Sequence, residues 1–219
     1  MKTYKLEKWI WSNNDFDKMS WHDCPIYALK FDDKVSFDID YFFIWNASEN
    51  EGIPNTCWIS PATLIFYNVT LFKVNFITDF VNGLEIYEIS KSTVENTTEW
   101  IIETQEGTIT IHSDTFRQII RRKPTLQFSQ CLSDEERGEN YFSEIPEKEY
   151  VESKELIQKK KTEFEQYELA SKRNSLRNEI EDLNPEKLDT KEFILSKKSL
   201  NEKINELNEK LNGTRFENY

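Results

Sequence analysis

The residues best equipped for chemistry are few. Trp21-His22-Asp23 sets an imidazole beside a carboxylate, and Asp38-Ile39-Asp40 puts two carboxylates on one face of an extended strand. His22, Asp23, Asp38 and Asp40 are thus the candidates for an acid–base pair or a His/carboxylate metal site. Catalytic metal sites commonly take three or more protein ligands, often two of them histidines, and this chain has only His22 and His112. The preferred reading is therefore hydrogen bonding by His22 and solvent-facing alternation by Asp38 and Asp40, with no metal and no cofactor. His112, near Asp114, is read in the same way. Arg117, Arg121, Arg122 and Lys123 form a basic cluster that could grip an anion, but no glycine-rich phosphate loop accompanies it. Pairing with the acidic run Asp134-Glu135-Glu136 is the preferred use. With no GxSxG elbow and no CxxC or HxxxH spacing, familiar hydrolase and zinc chemistries are not indicated, and no catalytic residue is assigned. The residues expected to bind a partner are Trp21, Asp38, Asp40, Arg117, Arg121 and Arg122.

Composition divides the chain that must position these groups. All six tryptophans lie in the first hundred residues, whereas Lys, Glu and Asn crowd the stretch after Glu135. The expected division is a mainly β domain over 1–132, a linker over 133–148, a helical hairpin over 149–213 and a tail over 214–219. A net charge of -12 repels phosphate backbones and anionic lipid, so neither nucleic acid nor a membrane is the expected partner, and a basic protein is favoured. Cys24, Cys57 and Cys131 are widely separated and read as reduced, buried thiols of a cytoplasmic protein. No stretch approaches the roughly 18 apolar residues of a membrane span.

The first 130 residues carry strand signals. Ile26 to Phe31 and Val35 to Trp45 flank a turn at Asp32-Asp33, and Val35, Phe37, Ile39, Tyr41, Phe43 and Trp45 fall on one apolar face. Pro61 suggests a bend between Cys57 to Ser60 and Ala62 to Thr70. Asn82-Gly83 and Glu106-Gly107 mark hairpin turns. Asp114 to Arg122 fits a helical turn or a strand equally. Seven or eight short strands of this kind predict an antiparallel β-sandwich or barrel-like domain, within an α+β chain.

After Glu135 the period changes. Leu169, Arg173, Leu176, Ile180 and Leu183, then Phe193, Lys197, Leu200, Ile204, Leu207 and Leu211, alternate spacings of 4 and 3, the mark of a heptad seam in two segments. Asn184-Pro185 stops the first, Asp189 with Glu192 opens the second, and Gly213 ends it. An antiparallel coiled-coil hairpin follows. With Arg173 and Lys197 at seam positions it needs a further surface, either the β domain or a second subunit, and dimerisation through Leu176, Ile180, Leu183, Leu200, Ile204 and Leu207 is the preferred reading.

Several short motifs spread over roughly residues 15 to 138 go together. They are Trp21-His22-Asp23, Asp38-Ile39-Asp40-Tyr41 with Trp45, the run from Pro61 to Val69, Arg122-Lys123-Pro124, Gln130, Leu132 and Glu136-Arg137-Gly138. In them the chain resembles a family of small uncharacterised bacterial proteins, which transfers no activity. The helical segment stands outside that pattern. The functional expectation is a non-catalytic protein-binding module, immunity- or antitoxin-like in its most concrete form, whose coiled coil mediates self-association or docking. The alternative is a metal-dependent enzyme using the His/Asp cluster.

Overall fold

In the computed structural model of this chain, residues 3–77, 83–183 and 189–219 are described. The α+β fold divides into two compact units. One is formed by Lys2–Asn46 and Thr56–Val151, the other by Ala47–Asn55 and Glu152–Tyr219.

The first unit holds ten strands among the described residues, all paired antiparallel: β1 (Ile10–Ser12), β2 (Cys24–Phe31), β3 (Lys34–Asn46), β4 (Thr56–Tyr67), β5 (Leu71–Phe76), β6 (Glu85–Val94), β7 (Thr97–Thr104), β8 (Gly107–Ser113), β9 (Thr115–Ile120) and β10 (Thr125–Gln127). Their order is β1-β9-β4-β3-β2-β6-β7-β8-β5, with β10 also on β4. The β2–β6 join is short, running from Cys24 opposite Ile86 to Pro25 opposite Glu85. The sheet can therefore turn there and lay β6, β7, β8 and β5 over the rest. An aromatic core fills the space. Trp100 of β7 lies 5.7 Å from Phe66 of β4 and 5.2 Å from Phe116 of β9, and Trp21 lies 5.8 Å from Phe116. Tilted and edge contacts of this kind add to the large apolar areas that these rings bury.

Asp114 to Arg122, ambiguous in sequence, supplies β9: β4 pairs with it from Ala62 to Tyr67, a ladder that the β-branched Ile119 and Ile120 suit. The bend expected at Pro61 is absent, because β4 runs unbroken through it. There β4 exchanges partners on one edge, from β10 (up to Ile59) to β9 (from Ala62). The Pro61 carbonyl accepts from the Arg121 N–H on that edge, so the missing proline donor faces the gap between two ladders. In β3 the expected core face holds for Val35, Phe37, Ile39 and Tyr41, but a register shift between Phe42 and Ile44 leaves Phe43 half-buried and Trp45 exposed. Gln105-Glu106 closes the β7–β8 hairpin where Glu106-Gly107 was expected to turn. The turn read at Asn82-Gly83 lies outside the described residues at Asn82. Cys24 and Cys57 are buried, and burial pushes the Cys57 thiol up to about 12; Cys131, by contrast, is exposed.

The stretch 133–148, expected to be a linker, belongs to this unit. It begins with the short helix α1 (Asp134–Arg137), in which Glu136 and Arg137 are buried.

The second unit is built on α2 (Lys154–Glu181) and α3 (Thr190–Leu211), which pack together. Ser153 caps α2 by accepting from the Leu156 N–H, and Asp189 caps α3 by accepting from Lys191 and Glu192. A 28-residue helix is about 42 Å long, and the eight residues joining it to α3 span at most about 26 Å, so α3 must return antiparallel. The break read at Asn184-Pro185 lies outside the described residues. Gly213, at φ 73°, takes the left-handed position past the end of α3. No described helix is long and apolar enough to cross a membrane.

Candidate functional site

The polar face of β3 does not meet water. Asp38 is 2% exposed and Asp40 is fully buried, which corrects the expectation of a solvent-facing carboxylate pair. The reason lies in the next strand. Cys57 to Phe66 of β4 is buried on both faces, so the sheet is covered on its second side as well. The cover is the chain from Arg121 onward: Thr63 donates to the Ser143 carbonyl at 2.9 Å, Arg121 accepts from Glu147 N–H at 2.6 Å, and Lys34 and Tyr67 hold Glu144.

Two buried carboxylates in such a position need counter-charges, and two arginines supply them. Arg121 Nη2 donates to Asp38 Oδ1 at 2.7 Å. Arg137, on α1, bridges the pair, with Nη2 donating to Asp38 Oδ2 and Nη1 to Asp40 Oδ1. Asp40 Oδ2 also accepts from the Tyr27 hydroxyl at 2.9 Å and the Leu132 N–H at 3.2 Å. The Arg137 guanidinium stacks 3.6 Å from the Tyr27 ring centroid, and Arg121 donates its remaining Nη1 to the Asn140 carbonyl at 3.1 Å. Two acids and two bases therefore balance inside the fold and clamp α1 to the sheet.

A third arginine anchors the same cover. Arg122 donates to the carbonyls of Glu135 (2.5 Å) and Glu136 (2.9 Å) and to the Glu147 carboxylate (2.7 Å), and it lies 3.5 Å from the Tyr150 ring centroid. Of the basic cluster expected to pair with Asp134-Glu135-Glu136, Arg122 reaches that run, and it does so through main-chain oxygens rather than through carboxylates. Gly138, at φ 72°, sits against the Arg122 guanidinium where a Cβ would collide. The Glu136 carboxylate accepts from the Gln127 amide and from the hydroxyl of Ser133, the N-cap of α1.

The candidate residues are accordingly scattered in role. Asp38, Asp40, Arg121 and Arg122 are spent inside the molecule and present no free binding surface. Trp21 is buried, its indole donating to Gln118 at 2.6 Å. Arg117 alone among the arginines named is exposed, 5.8 Å from the Tyr67 ring centroid. His22 is exposed, with Nδ1 3.0 Å from the Tyr87 carbonyl oxygen and Nε2 3.5 Å from Asp23, while His112 pairs with Glu99 across β7 and β8. His22 and Asp23 do not join Asp38 and Asp40, and the described residues contain no group of three His, Cys, Asp or Glu placed to hold a metal ion. Arg137 and Tyr27 were not singled out from sequence; the signal for Arg137 was its place inside Glu136-Arg137-Gly138. Asp38-Ile39-Asp40, Arg122, Leu132 and Glu136-Arg137-Gly138, far apart in the sequence, meet in or beside this one network.

Burial pushes the Asp40 carboxyl up to about 6, against the pull of Arg137, and Asp38 is raised for the same reason. The unfolded chain has Asp near 3.9, so the folded state holds this proton more tightly. The resulting stabilisation is complete below about pH 4 and is lost as the pH rises through about 6. Relative to an Asp40→Asn variant, whose amide cannot ionise, the wild type should lose unfolding free energy between those two values. Urea titrations of both proteins across that window measure it, and a constant difference would contradict the assignment.

The heptad seam is partly buried within the chain. Leu200, Ile204, Leu207 and Leu211 are buried and Leu176, Ile180 and Leu183 half-buried in the unit that α2 and α3 form, which leaves little of the proposed oligomerisation set for a partner. Lys197 is exposed despite its seam position. Arg173 is buried and answered by its own unit: it donates to Asn208 Oδ1 (3.1 Å) and to the main-chain oxygens of Phe216 (3.0 Å), Glu217 (2.9 Å) and Tyr219. The second unit also includes the connection between β3 and β4, since Asn50 donates to Ser171 at 2.7 Å and Asn174 to the Glu51 carbonyl at 3.0 Å. No protein-family model matches the chain, and no curated protein or solved structure matches it.

Proposed function

We propose that the chain is a non-catalytic protein-binding module, in which the β unit recognises a protein partner and the helical unit serves self-association or docking. Neutralising that partner, in the manner of an immunity protein or antitoxin, is the most concrete form of this reading. The observation behind it is the outer edge of β5, which has no strand partner among the described residues. Large apolar side chains stand in water beside it: Phe31, Leu71 and Val74, with Ile77 91% exposed. A cavity of about 250 Å³ opens there between the β2–β3 turn and the start of β5, lined by Phe31, Val69, Leu71 and Phe72 with Asp32 and Asp33. An unpaired edge offers main-chain donors and acceptors to an added strand, and the neighbouring pocket can take one of its side chains. A net charge of -12 favours a basic partner.

The test takes the proteins encoded beside this gene, expresses each alone, and asks which arrests growth, which is relieved by this chain, and which binds it by calorimetry. One product should bind, and Leu71→Glu with Val74→Glu should weaken it by about tenfold or more. Absence of binding by every neighbouring product would overturn the neutralising role.

A further inference from the structure

The outer edge of β5 lacks the devices by which sheet edges avoid other chains. Such edges are commonly shielded by proline, by charges set on the core face or by bulges. β5 has no proline, and its six residues pair with β8 without a register shift. Phe72 and Val74 stand opposite the buried Ile111 and Ile109, so Phe72, Val74 and Phe76 share the core face, while Leu71, Lys73 and Asn75 take the outer one. Val74 is nonetheless 45% exposed. The Ile77 N–H continues the ladder by donating to the Glu106 carbonyl at 3.1 Å. By alternation the main-chain groups of Phe72 and Val74 therefore turn away from β8.

A strand with this order of residues complements itself. An antiparallel pair related by a two-fold axis normal to the sheet keeps core face beside core face, which limits the axis to positions on a residue. With the axis at Val74, Val74 meets itself, Phe72 meets Phe76, Lys73 meets Asn75 and, on the outer face, Leu71 meets Ile77. Moving the axis to Lys73 sets two ammonium groups opposite each other, and moving it to Asn75 sets Lys73 against Ile77. Charge also favours approach at this edge. Two copies at -12 repel, yet residues 52–78 contain no Asp or Glu, and Lys73 is their one charged residue. The acidic turn Asp32-Asp33 borders the Leu71 end of the strand. Antiparallel pairing sets the two turns about 20 Å apart along the strands, beyond the reach of charge repulsion at physiological salt.

We infer that β5 pairs antiparallel with β5 of a second copy about a two-fold axis at Val74, which joins the two β6-β7-β8-β5 layers into one continuous sheet and covers the edge until a partner strand displaces it. The covering of the partner's site rests on the strand-addition reading given above; the dimer itself does not. Self-association then belongs to the β unit, and the helical unit keeps its docking role.

One strand edge per copy makes a small contact, so sedimentation velocity on the full chain is read from about 1 to about 100 µM, where the dimer should form. Val74→Pro removes the donor at the axis from both copies while leaving the β8 ladder intact, and should weaken association by about tenfold or more. The register is tested in a Cys131→Ser background, because Cys131 is exposed. There Val74→Cys should cross-link to its own copy under mild oxidation, since facing Cα atoms lie about 5.5 Å apart, within disulfide reach, whereas Leu71→Cys should not. A wild type that stays monomeric throughout, a Val74→Pro variant that dimerises like the wild type, or Leu71→Cys cross-linking as readily as Val74→Cys would each overturn the dimer. A neighbouring gene product that binds should convert the dimer into a one-to-one complex, and a complex that keeps the two copies paired would overturn the covering of the site. A monomeric wild type that still binds such a product would reject the dimer and leave the strand-addition reading standing; a dimer that binds none would do the reverse.

Discussion

Replacing Arg137 with alanine is expected to lower the free energy of unfolding by about 3–5 kcal/mol near neutral pH, the scale seen when one partner of a buried ion pair is removed. The variant keeps Asp38 and Asp40 in their places but leaves two buried carboxylates against Arg121 alone, which contacts only Asp38. Because burial already raises both carboxyls, losing Arg137 raises them further. A raised carboxyl stabilises the fold at low pH and ceases to do so above its folded value, so the deficit should shrink as the pH falls toward about 5. Combining Arg137→Ala with Asp40→Asn removes one charge of each sign and leaves the 2.7 Å pair of Arg121 and Asp38, and should recover much of the loss. Equilibrium urea unfolding of the three proteins decides the matter. Equal losses in the single and double variants, or a deficit that grows on acidification, would show that the network is not the clamp described.

The second large effect is expected in the helical unit. Arg173 is 1% exposed and gathers the tail that follows α3 through its bonds to Phe216, Glu217 and Tyr219. Arg173→Met keeps most of the volume and removes the donors. Each buried oxygen left without a donor costs about 1–3 kcal/mol, so the tail should detach rather than stay packed unsatisfied. Phe216, fully buried against Tyr167 at 5.9 Å between ring centroids, would then be exposed. Trypsin offers a direct measurement, because cleavage after Arg215 removes Phe216 to Tyr219 and is read by mass spectrometry. The variant should be cut about tenfold faster or more, as expected when local opening becomes cheap. Equal cleavage rates would mean that the tail is held by other contacts.

Much of the architecture could be read from residue order. Period-two alternation in β3, turn residues at regular intervals and the change to a 4, 3 spacing after Leu169 each report local geometry, and local geometry survives into the fold. The candidate site was less legible. Alternation in β3 says that Asp38 and Asp40 share a face but not what covers that face. The missing clue was next door: Ile59 to Phe66 contains apolar residues at both parities, the pattern of a strand covered on two sides, and a paired strand beside it inherits the same cover. Buried carboxylates would then have demanded arginines, and Arg121 and Arg137 were available. Distance along the chain hid the pairing, since 97 residues separate Asp40 from Arg137. Arg173 shows the reverse case. Its seam position suggested an outside partner surface, yet the acceptors came from main-chain oxygens of its own tail, which no side-chain pattern records.

The segment Ala47–Asn55 gives the molecule a particular order of assembly. During synthesis this loop emerges with β3 and β4, but Ser171 and Asn174, to which it is bonded, follow some 120 residues later. At about 5–20 residues per second the loop waits on the order of ten seconds for its helix. Over that interval the sheet can form while the loop stays open, and closure of the second unit becomes the last step. A truncation placed after Val151 would therefore arrest the chain at this late stage, removing two helices and also stranding a loop a hundred residues upstream.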